Sequence, residues 1–249
     1  MAQDQNGERN KSRTPLAPGE VSPLPPGLEI CQALAWRASD FVSVAWSPNG
    51  RLIAAGGRDG CVWLFQVSSG EVQLLEGHMD GVRSVTWAPS SRELASGSDD
   101  QTVRVWDAST GTVLHTLYSG SGVLSVAWSP NGRRLAVGLN DGRVQIWAPS
   151  REKVIRTLDG HKRFTWALAW SPDGRALASG SLDKTIRIWA SVTGELLRIL
   201  KGHADAVRGV AWSPDSRALA SISDDKTVRI WDPAGRTAPR SIDGACQAL

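Results

Sequence analysis

Serine, histidine and aspartate are the side chains with the clearest chemical potential in this sequence. His78, His161 and His203, three of the four histidines, are each followed at a fixed spacing by a serine (Ser96, Ser179, Ser221) and an aspartate (Asp100, Asp183, Asp225). Such a trio is the toolkit of a hydrolase, in which a base activates a serine nucleophile and a carboxylate orients the base. Repetition argues against that chemistry, because an active site needs one exposed nucleophile beside oxyanion donors and not three copies embedded in a strand pattern. Nucleophile-elbow, phosphate-loop, zinc-helix and dinucleotide-loop motifs are all absent from the sequence. The three cysteines, Cys31, Cys61 and Cys246, show no metal-ligand spacing and read as thiols, so neither metal nor cofactor is expected.

The elements that carry these residues recur. Trp46, Trp87, Trp128, Trp170 and Trp212 each open a Trp-(Ser/Ala)-Pro motif, 41 or 42 residues apart, which defines five units. Within a unit, runs of four to six β-branched and aromatic residues alternate with Pro, Asn, Asp and Gly clusters. The second unit reads VRSVTW, APSSR, ELASGS, DDQ, TVRVWD and TVLHTL. These are strands and turns, and no longer run has helical periodicity. The expected fold is all-β, with four strands per unit. Residues 1–27 hold Pro15, Pro18, Pro23, Pro25 and Pro26 among small and charged side chains, and read as a disordered tail preceding a repeat domain over 28–249.

Composition narrows the functional class. Apolar runs are far shorter than the roughly 20 residues of a membrane-spanning helix, and the polar start lacks a secretory signal, so a soluble, cytoplasmic protein is expected. The net charge of +3 is spread along the chain, apart from the short cluster Arg9, Lys11 and Arg13. Nucleic-acid binders usually show a clustered basic stripe.

The segments GHMDGV, LASGSDDQTVRVWD, GHKRFTWALAWSPDGRALASGSLDKTIRIWA and GHADAVRGVAWSPDSRALASISDDKTVRIWD resemble the WD40 family over residues 37 to 242. The resemblance implies a β-propeller of four-stranded antiparallel blades, with repeats at about 37–75, 76–117, 118–158, 159–200 and 201–242. It also implies a structural hydrogen-bonded tetrad in each complete blade: His78, Ser96, Asp100 and Trp106; His161, Ser179, Asp183 and Trp189; His203, Ser221, Asp225 and Trp231. Linking such groups satisfies donors and acceptors that are costly to bury singly. The first unit has Arg37, Ala55 and Phe65 at the His, Ser and Trp positions, and the third has Ser119 and Val137 beside Trp147. Both are expected to lack the network and to be more mobile, although Asp59 and Asp141 persist because aspartate suits the turn.

The function implied is a non-catalytic protein-protein interaction scaffold that docks a partner on the face formed by the inter-blade loops. Val42, Arg83, Leu124, Trp166 and Arg208 occupy one register there, next to the unusual loop Lys162, Arg163 and Phe164. Tryptophan and arginine are frequent interface hot spots. An acidic peptide is the first partner expected, and a nucleic-acid backbone is the alternative. Five units fall short of the usual seven. An open arc is therefore expected, with apolar end faces that favour self-association. The last blade's fourth strand looks weak, since Pro239 interrupts RTAPRSI and Gly235 precedes it, so Leu28 to Ala35 could pair there instead.

Overall fold

The computed structural model describes residues 40–235 and 238–243. Twenty strands form five antiparallel sheets, each built from four consecutive strands. Blade 1 contains β1 (Phe41–Trp46), β2 (Leu52–Gly57), β3 (Val62–Gln66) and β4 (Val72–Leu75). Blade 2 contains β5 (Val82–Trp87), β6 (Glu93–Ser98), β7 (Thr102–Asp107) and β8 (Val113–Tyr118). Blade 3 contains β9 (Val123–Trp128), β10 (Leu135–Leu139), β11 (Val144–Ala148) and β12 (Lys153–Leu158), with a short 3₁₀ turn at Pro149–Arg151. Blade 4 contains β13 (Thr165–Trp170), β14 (Ala176–Ser181), β15 (Thr185–Ala190) and β16 (Leu196–Lys201). Blade 5 contains β17 (Val207–Trp212), β18 (Leu219–Ser223), β19 (Thr227–Trp231) and β20 (Arg240–Asp243). The expected tail over 1–27, the strand donor at 28–35, Cys31 and Cys246 lie outside the described residues.

The turns explain the repeated punctuation. In each second hairpin the aspartate Oδ1 accepts the N–H two residues on: Cys61 to Asp59, Thr102 to Asp100, Arg143 to Asp141, Thr185 to Asp183 and Thr227 to Asp225, at 2.9–3.0 Å. The side chain thereby mimics a turn carbonyl, which is why Asp59 and Asp141 survive where the tetrad does not. At the opposite end, the Ser47, Ser129, Ser171 and Ser213 hydroxyls donate to Asn49, Asn131, Asp173 and Asp215 at 2.6–2.8 Å.

The core lies between blades. One cluster joins Val62 and Leu64 of β3 with Val82, Val85 and Trp87 of β5, and the same pairing of third strand against next first strand repeats along the array. The opening tryptophans also bridge neighbours. The indoles of Trp87, Trp170 and Trp212 donate to the carbonyls of Ala45, Ala127 and Ala169 at 3.0–3.1 Å. A four-stranded sheet alone buries too little to stand, so these interfaces carry the stability.

The sheets form an open arc, not a closed ring. Trp46 is 58% exposed whereas its equivalent Trp87 is 6% exposed, and on blade 5 Val228 and Ile230 are each 39% exposed where Val103 and Val105 are fully buried. One expectation is corrected: blade 5 supplies its own fourth strand. β20 pairs with β19 from Ile230↔Arg240 to Thr227↔Asp243, and Pro239 stands just before the ladder, where it removes no donor.

Candidate functional site

The trio of histidine, serine and aspartate comes together in three blades. In blade 2, His78 Nε2 lies 2.7 Å from Ser96 Oγ and His78 Nδ1 lies 2.9 Å from Asp100 Oδ2, while the Trp106 indole donates to Ser96 Oγ at 2.7 Å. Blade 4 repeats this through His161, Ser179, Asp183 and Trp189 at 2.8–2.9 Å, and blade 5 through His203, Ser221, Asp225 and Trp231 at 2.7–2.8 Å. The proton directions follow from the donors. An indole N–H can only donate, so the serine oxygen accepts it and turns its own hydrogen toward Nε2; the ring proton then sits on Nδ1 and is given to the carboxylate. The three serines are 0–2% exposed. Sealed from solvent and engaged by the indole, they present no nucleophile to a substrate.

Burial and hydrogen bonding set the charges. Burial holds the His78 pKa below its ordinary 6.5, against the opposing pull of Asp100. Burial alone would raise Asp100, but the Thr102 hydroxyl, the Met79 N–H and His78 hold its pKa at about 2. Asp183 and Asp225 are depressed in the same way.

Two contributors were not legible as site residues. Thr102, Thr185 and Thr227 each donate a hydroxyl hydrogen to the tetrad aspartate at 2.6–2.7 Å and lie 3.1–3.4 Å from the histidine Nδ1. Their signal is Asp-x-Thr, present in the three complete units and replaced by Cys61 and Arg143 in the other two. The second contributor is in blade 3, which has no tetrad but carries a different set of bonds to its tryptophan. Gln145 Oε1 accepts from the Trp147 indole at 3.0 Å, and Gln145 Nε2 donates to the Ser119 carbonyl at 3.1 Å. In blade 1, Phe65 brings no indole donor that would need a partner.

At the loop end of the strands, residues of one register gather around the inner edge of the blades. Arg83 of β5 and Arg208 of β17 are not open cations. Arg83 donates to Asp99 at 2.6 Å, and Arg208 donates to Asp224 at 2.7 and 2.8 Å. The Arg208 guanidinium also stacks over the Trp166 ring, 4.4 Å from its centroid, and Phe164 meets Trp166 edge-on at 6.0 Å. Trp166 and Leu124 are half-buried, whereas Lys162, Arg163 and Phe164 are exposed. The Trp166 indole nitrogen is shielded from solvent and has no hydrogen-bond partner among the described residues.

Comparison with known proteins places the architecture. The family model described as IFT122 first beta-propeller matches residues 28–189, and a second, WD domain, G-beta repeat, matches residues 194–232. The chain belongs to the WD40-type β-propeller family. No curated protein matches it. The first match runs into blade 4 as far as the tetrad tryptophan Trp189, and the second covers β16 of blade 4 and the first three strands of blade 5. WD40 propellers are typically non-catalytic platforms for protein interaction. No helix among the described residues is long and apolar enough to cross a membrane.

Proposed function

We propose that this WD40 propeller is a non-catalytic docking scaffold whose loop-end face binds an acidic peptide segment at blade 4. The observation that carries this reading is the coincidence of an aromatic pair with uncompensated positive charge. Phe164 and Trp166 form an edge-on pair under Arg208, and Lys162 and Arg163 stand exposed beside it with no ion-pair partner among the described residues. Desolvated aromatics anchor interfaces, and charges at the rim steer and select.

The ion pairs refine the expected contacts. Arg83 and Arg208 are already neutralised by Asp99 and Asp224, so attraction for an acidic partner rests on Lys162 and Arg163. With Lys162 and Arg163 the free cations at blade 4 among the described residues, a nucleic-acid backbone is disfavoured at this site, because counterion release from two phosphates gives a log–log salt slope of only about −2.

Calorimetric titration of acidic peptides, each with one aromatic or aliphatic residue, tests the proposal. Trp166→Ala should weaken binding about 30-fold, the size of a hot-spot loss of about 2 kcal/mol. The charge reversal Lys162→Glu with Arg163→Glu should weaken it about tenfold. Equal affinity in all variants would overturn this face as the docking site. A salt slope steeper than about −5 on single- or double-stranded oligonucleotides would replace the peptide reading with the nucleic-acid one.

A further inference from the structure

The four internal interfaces share one steric device. On the side that each blade turns to the next, a first-strand residue stands opposite a second-strand glycine: Ser43 opposite Gly56, Ser84 opposite Gly97, Ser125 opposite Gly138 and Ala167 opposite Gly180. The glycine leaves a slot that the next blade's opening residue fills. A Cβ added at Gly56 would lie 2.8 Å from Val82 Cγ1, at Gly138 3.0 Å from Thr165 Cγ2 and at Gly180 2.7 Å from Val207 Cγ1; at Gly97 it would collide with Val123 Cγ1. Those distances lie inside van der Waals contact, so no residue with a side chain fits without displacing the neighbour. Beside the slot, Ser43 and Ser84 accept the N–H groups of Val85 and Val126 from the next blade at 3.1 and 3.2 Å.

Blade 5 inverts the device. Here the cross-strand pair is Gly209 opposite Ile222. The hydroxyl is already absent in blade 4, where Ala167 holds its place; what is particular to blade 5 is that the slot is full, because the Ile222 side chain lies over Gly209, with Cγ1 2.9 Å from where a Cβ would stand. Ile222 is 52% exposed, so it projects from the face where the other blades are recessed. At the far end of the arc, Phe41 takes the register of Val82, Val123, Thr165 and Val207. It is larger than any of them, and it meets Trp63 and Phe65 of its own blade edge-on at 6.2 and 6.1 Å.

We infer that the outer face of blade 5 is an end plate: it does not seat blade 1, whether of the same chain or of a second copy, as the internal blades seat one another. Stacking the two ends would press Phe41 onto Ile222 where valine or threonine meets glycine elsewhere. The bulk therefore blocks a head-to-tail contact that would otherwise be favoured. The two ends expose Val44 and Trp46 on one side and Val228 and Ile230 on the other, and a heterologous contact that does not close propagates into fibres.

Light scattering on the full chain across a hundredfold range of concentration tests this. The wild type should keep the mass of one chain throughout, whereas the triple variant Ile222→Gly, Gly209→Ser, Phe41→Val should at least double in mass at the highest concentration. Wild-type association abolished by Trp46→Asp would overturn the inference, as would a folded triple variant that stays at one chain. Should the triple variant fail to fold, Gly180→Ile places the same bulk inside the blade 4–blade 5 interface. Amide protection in β17–β19 should then fall at least tenfold while β5–β7 hold, and unchanged protection in β17–β19 would overturn the steric argument.

Discussion

Ser96 sits where the side chains of His78 and Trp106 converge, so its removal tests the tetrad most directly. Ser96→Ala strands the Trp106 indole and His78 Nε2 in a dry site, at a cost of about 2 kcal/mol or more, measurable by urea denaturation. The charge states predict a pH dependence with a definite sign. Both His78 and Asp100 have native pKa values below their ordinary ones, so the unfolded chain takes up protons first as pH falls. The His78 contribution is complete above its ordinary 6.5 and is lost as pH falls through the depressed native value; that of Asp100 is complete above 3.8 and is lost toward pH 2. Urea midpoints should therefore decline in two stages, and Asp100→Asn should make the lower stage shallower. A second comparison isolates one bond. Trp87 donates across the blade interface to Ala45, whereas the Trp128 indole nitrogen is buried without a partner among the described residues. Trp87→Phe should cost about 1 kcal/mol more than Trp128→Phe in thermal melts.

Strands and turns were legible because β-branched runs and aspartate turns act locally, each within a few residues. Contacts that cross the sheet were harder to see. Arg83 in β5 and Asp99 just past the end of β6 are 16 residues apart in sequence yet face each other, as do Arg208 in β17 and Asp224 just past the end of β18. A signal for them existed: the blades with Leu124 and Trp166 at the arginine position carry Asn140 and Leu182 at the aspartate position. The substitution of Gln145 for a missing histidine and serine gave no such signal, since it works from a different strand position and reaches a main-chain carbonyl. It changes the expected order of blade stability. Native-state hydrogen exchange should show β9–β11 better protected than β1–β3, and Gln145→Leu should erase the difference.

For the whole molecule, openness has an optical consequence. Trp46 would be shielded in a closed ring but stands 58% exposed at the end of the arc. Acrylamide should quench a red-shifted component of the tryptophan emission, and Trp46→Phe should reduce it. If Trp46→Phe left the quenched fraction unchanged, the end of the arc would be covered in solution.

The cross-strand pairs along the array run Ser43·Gly56, Ser84·Gly97, Ser125·Gly138, Ala167·Gly180 and then Gly209·Ile222. In genetic terms, these repeats are not interchangeable cassettes. A tandem duplication of the segment encoding blade 2 would place a Ser·Gly face against an incoming valine and lengthen the arc with a working joint. Duplication of the segment encoding blade 5 would set Ile222 of one copy against Val207 of the next and leave the added repeat undocked. Four pairs of small residues followed by one that holds Ile222 thus give the array a direction.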